Sequence, residues 1–209
     1  ATVKIRKAIP ALVKRFGVKS FLDVPCGDFN WMKEVKLGAV YIGGDIVPDL
    51  IDANNKRYAS EDRSFMKLDI TRDRLPKADM VMCRDCLVHL SFKDILKAVK
   101  NMKRSGAKYL LTTTFPGVRF NQYIETGEWR VVNLEKPPFS FPKPIVSIHE
   151  AYHTDRFGSK SLALWKIEEL PVFDASKHFY ILRIVRIIKN ILILLLNRAR
   201  RIRRRFRIF

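Results

Sequence analysis

The chain is poor in the residues that would tie it to several common chemistries. Its 209 residues include three cysteines. No second Cys pair accompanies Cys83-x-x-Cys86, so neither a disulfide framework nor a thiolate zinc site is expected, and the cysteines read as buried small apolar side chains in a reducing compartment. No apolar signal segment opens the chain, which starts at Ala1 without an initiator Met, as expected for a piece of a longer polypeptide. A G-x-G-x-x-G sequence is missing, so a dinucleotide pyrophosphate is poorly served. There is also no Asn/Asp-Pro-Pro-Tyr/Phe sequence of the kind that holds a flipped base amine. Acids are missing from one end: residues 175–209 hold 11 Lys/Arg and no Asp or Glu, leaving only +8 of the net +19 for the rest. The basic residues of the body are scattered like a solvated surface, and no nucleic-acid partner is expected.

What is present alternates between strand and helix patterns. Residues 3–16 space apolar side chains at helical intervals, with Pro10 an objection inside the helix. Strands are predicted at 20–24, 40–45, 65–69, 78–83 and 108–114. Helices are predicted at 30–37, from Pro48 to about 59, and from a Ser91 cap to about 103. Residues 145–149 and 161–166 suit two further strands. This spacing implies βαβ units and an α/β fold with a mostly parallel, seven-stranded sheet and helices on both faces. Ligands of such sheets bind beyond the carboxyl ends of the strands, where Asp23–Asp28, Asp45, Asp69–Ile70 and Cys83–His89 all fall.

The most informative stretch runs from Phe21 to Trp31, followed by Tyr41–Asp45. It reads as a strand, a tight turn containing Gly27, and a second strand ending in a carboxylate, which suits a ligand with a ribose but no phosphate. Here the chain resembles the class I S-adenosylmethionine (SAM)-dependent methyltransferases. Their acid-x-Gly-x-Gly turn appears as Asp23-Val24-Pro25-Cys26-Gly27-Asp28, with Pro25 in place of the first glycine. The resemblance, over roughly residues 18–170, implies the Rossmann-like methyltransferase fold, with SAM as cofactor.

Asp45 is then the acceptor for both ribose hydroxyls. Gly27 lets backbone approach the methionine portion, and Asp23 and Asp28 fix its ammonium, unless Asp28 instead caps a helix near Asn30. Asp69 and Ile70 match the adenine position, and Trp31 and Cys83 complete the cofactor set. Methyl transfer to an alcohol needs a base as the bond forms. Asp85 and His89 stand four apart, so a helical turn would put both on one face. Asp85 either takes the proton or orients His89, and His89 could equally be a packed core histidine. His149, Glu150 and His153 are further candidates for the base. Some methyltransferases of this class bind a divalent cation through acid-x-x-Glu-His here. This chain has Val88 in the Glu position, which leaves a cation open, with His149 or His153 to complete its ligands.

Residues 115–144 are rich in proline and aromatics, and read as an ordered cover on the acceptor side or as a packed surface loop. A closer resemblance rests on Pro25-Cys-Gly-Asp-Phe-Asn-Trp31, Arg84-Asp-Cys-Leu-Val-His-Leu90, Gly127-x-Trp-Arg130, Asn133-Leu, Pro138-Phe-Ser-Phe-Pro142 and Lys160-Ser-Leu-Ala-Leu-Trp165. Together they are similar to C-terminal methyltransferase domains of multidomain glycan-assembly proteins of large algal viruses. The resemblance implies preceding glycosyltransferase domains, a glycan acceptor with a terminal rhamnose hydroxyl as target, and a place in the host cytoplasm. Arg84, Trp129, Phe139, Phe141 and His153 are the expected acceptor contacts.

The domain is expected to span 1–174 and a basic, apolar helix or tail 175–209. Residues 179–196 are helical in pattern, with Arg183, Arg186, Asn190 and Asn197 forming one narrow polar stripe and nearly everything else aliphatic, and seven arginines follow from Arg198 to Arg207. That pattern suits peripheral membrane contact, with each cation adding roughly 1 kcal/mol near anionic lipid. A helix packed on the domain, or nucleic-acid contact through the arginines, are the alternatives. Two rivals to the enzyme reading differ in kind: an RNA methyltransferase, and a noncatalytic module tethering partner enzymes to a membrane.

Overall fold

The computed structural model describes residues 2–150 and 160–173. The readings made for His153 and for the tail from 174 onward lie outside the described residues. The chain divides into a unit of residues 1–172 and a second of 173–209.

The first unit opens with helix α1 (Val3–Arg15), which buries Ile5, Ile9, Leu12 and Val13 and carries Pro10 within it. The strands are β1 (Ser20–Asp23), β2 (Val40–Asp45), β3 (Arg63–Lys67), β4 (Met80–Cys83), β5 (Tyr109–Thr114), β6 (Val146–His149) and β7 (Ser161–Lys166). They form one sheet in the order β3-β2-β1-β4-β5-β7-β6. All neighbours pair in parallel except β7, which runs antiparallel to both β5 and β6.

Strand alternation covers the sheet on both sides. Phe21, Met80, Met82 and Leu111 join α1 in one cluster. Leu22, Val81 and Leu110, also fully buried, take the opposite face. Helix α2 (Pro48–Tyr58) starts on Pro48, and Asn55 ties it to β3 by exchanging bonds with both backbone groups of Phe65. Helix α3 (Phe92–Arg104) is capped by Ser91 Oγ, which accepts from the Asp94 amide, and buries Phe92, Ile95, Ala98, Val99 and Met102.

The helix expected at 30–37 does not form; only a 3₁₀ turn at Met32–Glu34 does. Phe29 adopts φ +57° and turns its ring into an aromatic group with Tyr41, Tyr58 and Phe65. Val35 then continues extended, so burial of one aromatic outweighs helix propagation. Strand β3 also begins and ends two residues earlier than expected, which leaves Leu68–Ile70 in the connection beyond it.

Residues 115–144 contain no helix or strand but are firmly tied. Asn133 donates to the carbonyls of Pro116 and Val118, and Asn121 donates to those of Asn133, Lys136 and Pro137. Among the described residues no helix is long and apolar enough to cross a membrane.

Candidate active site

The turn after β1 is built against the end of β2. The Cys26 amide donates to the Gly44 carbonyl at 2.8 Å. Gly27 has φ +57°, and its N–H donates to Asp45 Oδ2 at 3.0 Å. Asp45 Oδ1 accepts from the Val47 amide at 3.1 Å. Two backbone donors thus fix the carboxylate, and each of its oxygens keeps a second lone pair for a ligand hydroxyl. A Cβ placed on Gly27 would meet nothing within 4 Å, so the glycine answers to its left-handed φ and the space beside it is open. Asn54, 2% exposed, supports the turn by donating to the Gly27 carbonyl at 2.7 Å. Gly43 and Gly44 allow tight packing behind it: a Cβ on either would come within 2.7 Å or less of Phe65 or Leu68.

The other acids of this half are placed differently. Asp28 is exposed and accepts from the Asn30 amide, closing a local turn rather than capping a helix. Asp23 is buried and accepts from the Tyr41 hydroxyl at 2.8 Å. Burial pushes its carboxyl up to about 7, with the Tyr41 bond and the Arg84 charge pulling the other way. Asp69 is half-buried, and its Oδ1 accepts from both the amide and the hydroxyl of Thr71. Leu68 and Ile70 beside it are buried.

Beyond β4 the site becomes ionic. Asp85 has φ +55°, a left-handed conformation that is strained for a residue with a Cβ. Its amide donates to Thr113 Oγ1 at 2.9 Å, and the Thr113 hydroxyl reaches Oδ1 at 3.3 Å. Oδ2 is held by Lys160 Nζ at 2.6 Å and by Arg84 at 3.1 Å. Arg84 also donates to Glu150 at 2.7 Å and lies over the Trp31 ring at 5.4 Å.

Several expectations change here. Asp85 and His89 do not share a helical turn: a 3₁₀ turn covers only Leu87–His89, and exposed His89 sets Nδ1 3.1 Å from the Glu128 carbonyl oxygen. His89 is therefore not a packed core histidine either. Phe139 and Phe141 were expected against the acceptor but are buried at 0% and 4% exposure, edge-on to Phe92 and Trp165. They form the core of the 115–144 segment. Cys83 is likewise fully buried, and a hydrogen bond with the free thiol of Cys86, together with burial, pushes its own thiol well above the usual range, so it presents no side chain to a cofactor. His149 ends β6 as an exposed residue, and Trp129 is half-exposed one residue beyond the Glu128 carbonyl that meets His89.

Sequence reasoning gave no role to Lys160 or Arg130 and only a minor one to Glu150. Glu150 directly follows β6 and Lys160 directly precedes β7. In an antiparallel pair these positions face the same rim, which is the signal that could have found them. Arg130, 3% exposed, donates to the carbonyls of Leu87, Val88, Leu90 and Gln122 and stacks on Phe92, so it pins the loop that carries Asp85. Burial pulls its guanidinium down to about 10. Among the described residues no group of three or more His, Cys, Asp or Glu converges to hold a metal ion.

Strand order, the single reversed strand and the carboxylate-bearing rim together define the Rossmann-like fold of the class I SAM-dependent methyltransferases. No protein-family model and no curated protein matches the sequence. Solved structures do match in fold. The 1,6-didemethyltoxoflavin-N1-methyltransferase of Burkholderia thailandensis, with bound S-adenosylhomocysteine, is 14% identical with a TM-score of 0.58, covering 78% of each chain. The N-methyltransferase NodS of Bradyrhizobium japonicum is 12% identical, TM-score 0.56, covering 79% of this chain and 98% of its own. Magnesium protoporphyrin IX methyltransferase of Synechocystis is 14% identical, TM-score 0.53, covering 77% and 80%.

Proposed function

We propose that this chain is a SAM-dependent O-methyltransferase acting on a sugar hydroxyl of a glycan, with a terminal rhamnose as the target. The observation that carries the reading is Asp85: a strained, partly exposed carboxylate clamped at the same rim as the Gly27–Asp45 cradle. Solved neighbours of the fold hold S-adenosylhomocysteine, and the residues of the cradle fit such a ligand. The open backbone at Gly27 admits it, and Asp45 has lone pairs to spare for ribose hydroxyls. Asp69 and the Leu68–Ile70 side chains flank the adenine position.

When bound, the cofactor supplies an activated methyl group. Asp45 holds the ribose, Asp85 Oδ1 accepts the proton of the attacking hydroxyl, and the 115–144 segment walls off water on the acceptor side. Arg84 and Trp129 contact the acceptor. The choice of a rhamnose hydroxyl rests on the motif resemblance described above, as do preceding glycosyltransferase domains and a cytoplasmic site of action. The basic residues of 179–209 add peripheral membrane contact.

The test is S-adenosylhomocysteine release from SAM with a rhamnose-terminated oligosaccharide, a galactose-terminated one and total RNA, each with and without EDTA. Turnover on the rhamnoside alone is expected. Turnover on RNA instead would overturn the sugar reading in favour of the one the high net charge suggests. The chelator arm decides whether a divalent cation takes part.

A further inference from the structure

Glu150 is 0% exposed, and its Oε1 has no hydrogen-bond partner among the described residues. A buried carboxylate with a bare oxygen is expensive, and an apolar residue of similar volume would serve stability as well or better. Its position shows what it does. Oε2 accepts from Arg84 at 2.7 Å and lies 3.7 Å from Lys160 Nζ, so one buried acid gathers both cations. The two cations then converge on a single oxygen of Asp85, Oδ2, at 3.1 and 2.6 Å. Among the described residues the other oxygen, Oδ1, has only the Thr113 hydroxyl at 3.3 Å, near the limit for such a bond. The Asp85 side chain is 38% exposed, whereas that of Lys160 is 10%. Solvent, and hence an acceptor, reaches Asp85 rather than Lys160 and Glu150 behind it.

We propose that Glu150 and Lys160 are positioning residues: Glu150 sets the two cations, and they lock Asp85 with Oδ1 presented to the acceptor hydroxyl. This rests on the reading of Asp85 as the group that takes the acceptor's proton. The chain order makes the device a clasp. Asp85 follows β4, Glu150 follows β6 and Lys160 precedes β7, so three strand ends are drawn to one point of the rim. Lys160 and Glu150 touch neither acceptor nor cofactor in this arrangement, and they act through Asp85.

The experiment uses the full chain and the variants Glu150→Gln, Lys160→Met and Lys160→Arg. It follows S-adenosylhomocysteine release with the rhamnoside, SAM affinity by calorimetry, melting temperature, and the side-chain carboxyl ¹³C shift of Asp85, assigned by its loss in Asp85→Asn. Glu150→Gln and Lys160→Met should lower kcat by about 10²-fold, the effect of misplacing a reacting group by about 1 Å. The acceptor KM and SAM affinity should hold, and the Asp85 resonance should move. Lys160→Arg should recover most of the rate. A lowered melting temperature with kcat and the Asp85 shift unchanged would reduce the cluster to a structural bridge and overturn the proposal. If a variant fails to fold, Lys160→Arg still decides, since an unmoved Asp85 resonance there together with a lost rate would contradict positioning by charge. Absence of turnover on sugar by the unmodified protein, with the Asp85 shift responding as expected, would support the clasp and refute the sugar reading alone.

Discussion

Asp45 and Asp85 stand at the same rim, two strands apart, and are held by opposite means. Asp45 is fixed by two neutral backbone amides, from Gly27 and Val47. Asp85 is fixed by two full charges, themselves gathered by a third, buried acid. Amide donors orient a carboxylate while leaving most of its hydrogen-bonding capacity to a ligand, which suits a group that binds hydroxyls and does not change protonation. Cations set one oxygen and leave the other as the single reactive direction. On the function proposed above, the first arrangement serves recognition and the second serves a step, and substitutions at the two acids should therefore fail differently.

Asp85→Asn is the sharpest way to break the comparison. The amide keeps the shape but loses both ion pairs and the proton acceptor, so kcat should fall about 10²–10⁴-fold with SAM affinity unchanged. Single-turnover kinetics and calorimetry would show the split, and near-normal turnover would move the base to exposed His89 or His149. Asp45→Ala should give the mirror image. Each charged hydrogen bond to a ribose hydroxyl contributes about 1.5–3 kcal/mol, so SAM affinity should drop by about 10²-fold or more. Asp45→Asn, which keeps an acceptor for the Gly27 amide, should lose less. An unchanged calorimetric affinity in the alanine variant would remove Asp45 from the cofactor site.

Arg130 tests whether the second arrangement depends on its scaffold. Its guanidinium serves four carbonyls at 3% exposure, three of them in the loop that follows Asp85. In Arg130→Met the Leu87 carbonyl keeps the Leu90 amide and the Val88 carbonyl keeps the backbone amide of residue 130, but the Leu90 and Gln122 carbonyls lose their guanidinium donor, so at about 1 kcal/mol each stability should fall by roughly 2 kcal/mol. Urea denaturation would read this directly, and a midpoint within error of the unmodified protein would show that water replaces the guanidinium.

The two halves were also unequally legible from sequence. The half around β1 and β2 is written in local signals: a turn with Gly27, a strand ending in Asp45, a Pro48 start for α2, all within about thirty residues. The helix expected at 30–37 fails because Phe29 is buried, a tertiary contact that local propensity does not contain, and β3 lies two residues earlier than expected. The ionic half is made of partners 66 and 75 residues apart, Arg84 with Glu150 and Asp85 with Lys160. Such pairs become visible only once β6 and β7 are known to run antiparallel to each other. Phe139 and Phe141 were misassigned for a related reason: an aromatic loop can place its rings inward as its own core, and composition does not say which way they face.

Asp23 sharpens the comparison at its smallest effect, because it is a third solution: an acid held by a neutral hydroxyl and denied water. Burial pushes its carboxyl up to about 7, whereas in the unfolded chain it titrates near 3.9. Between those values the folded protein keeps a proton that the unfolded chain has lost. The free energy of unfolding contributed by this group therefore falls as pH rises from about 4 to about 7, and is level outside that window. Asp23→Asn cannot ionise and retains an acceptor for the Tyr41 hydroxyl, so it should remove that slope. Melting temperatures at pH 5 and pH 8 should differ less in the variant than in the unmodified protein, with the variant gaining most at pH 8. Parallel profiles would mean that Asp23 is already ionised at pH 5 in the folded chain. The Arg84 charge would then outweigh burial, and the ionic half of the site would extend across β1.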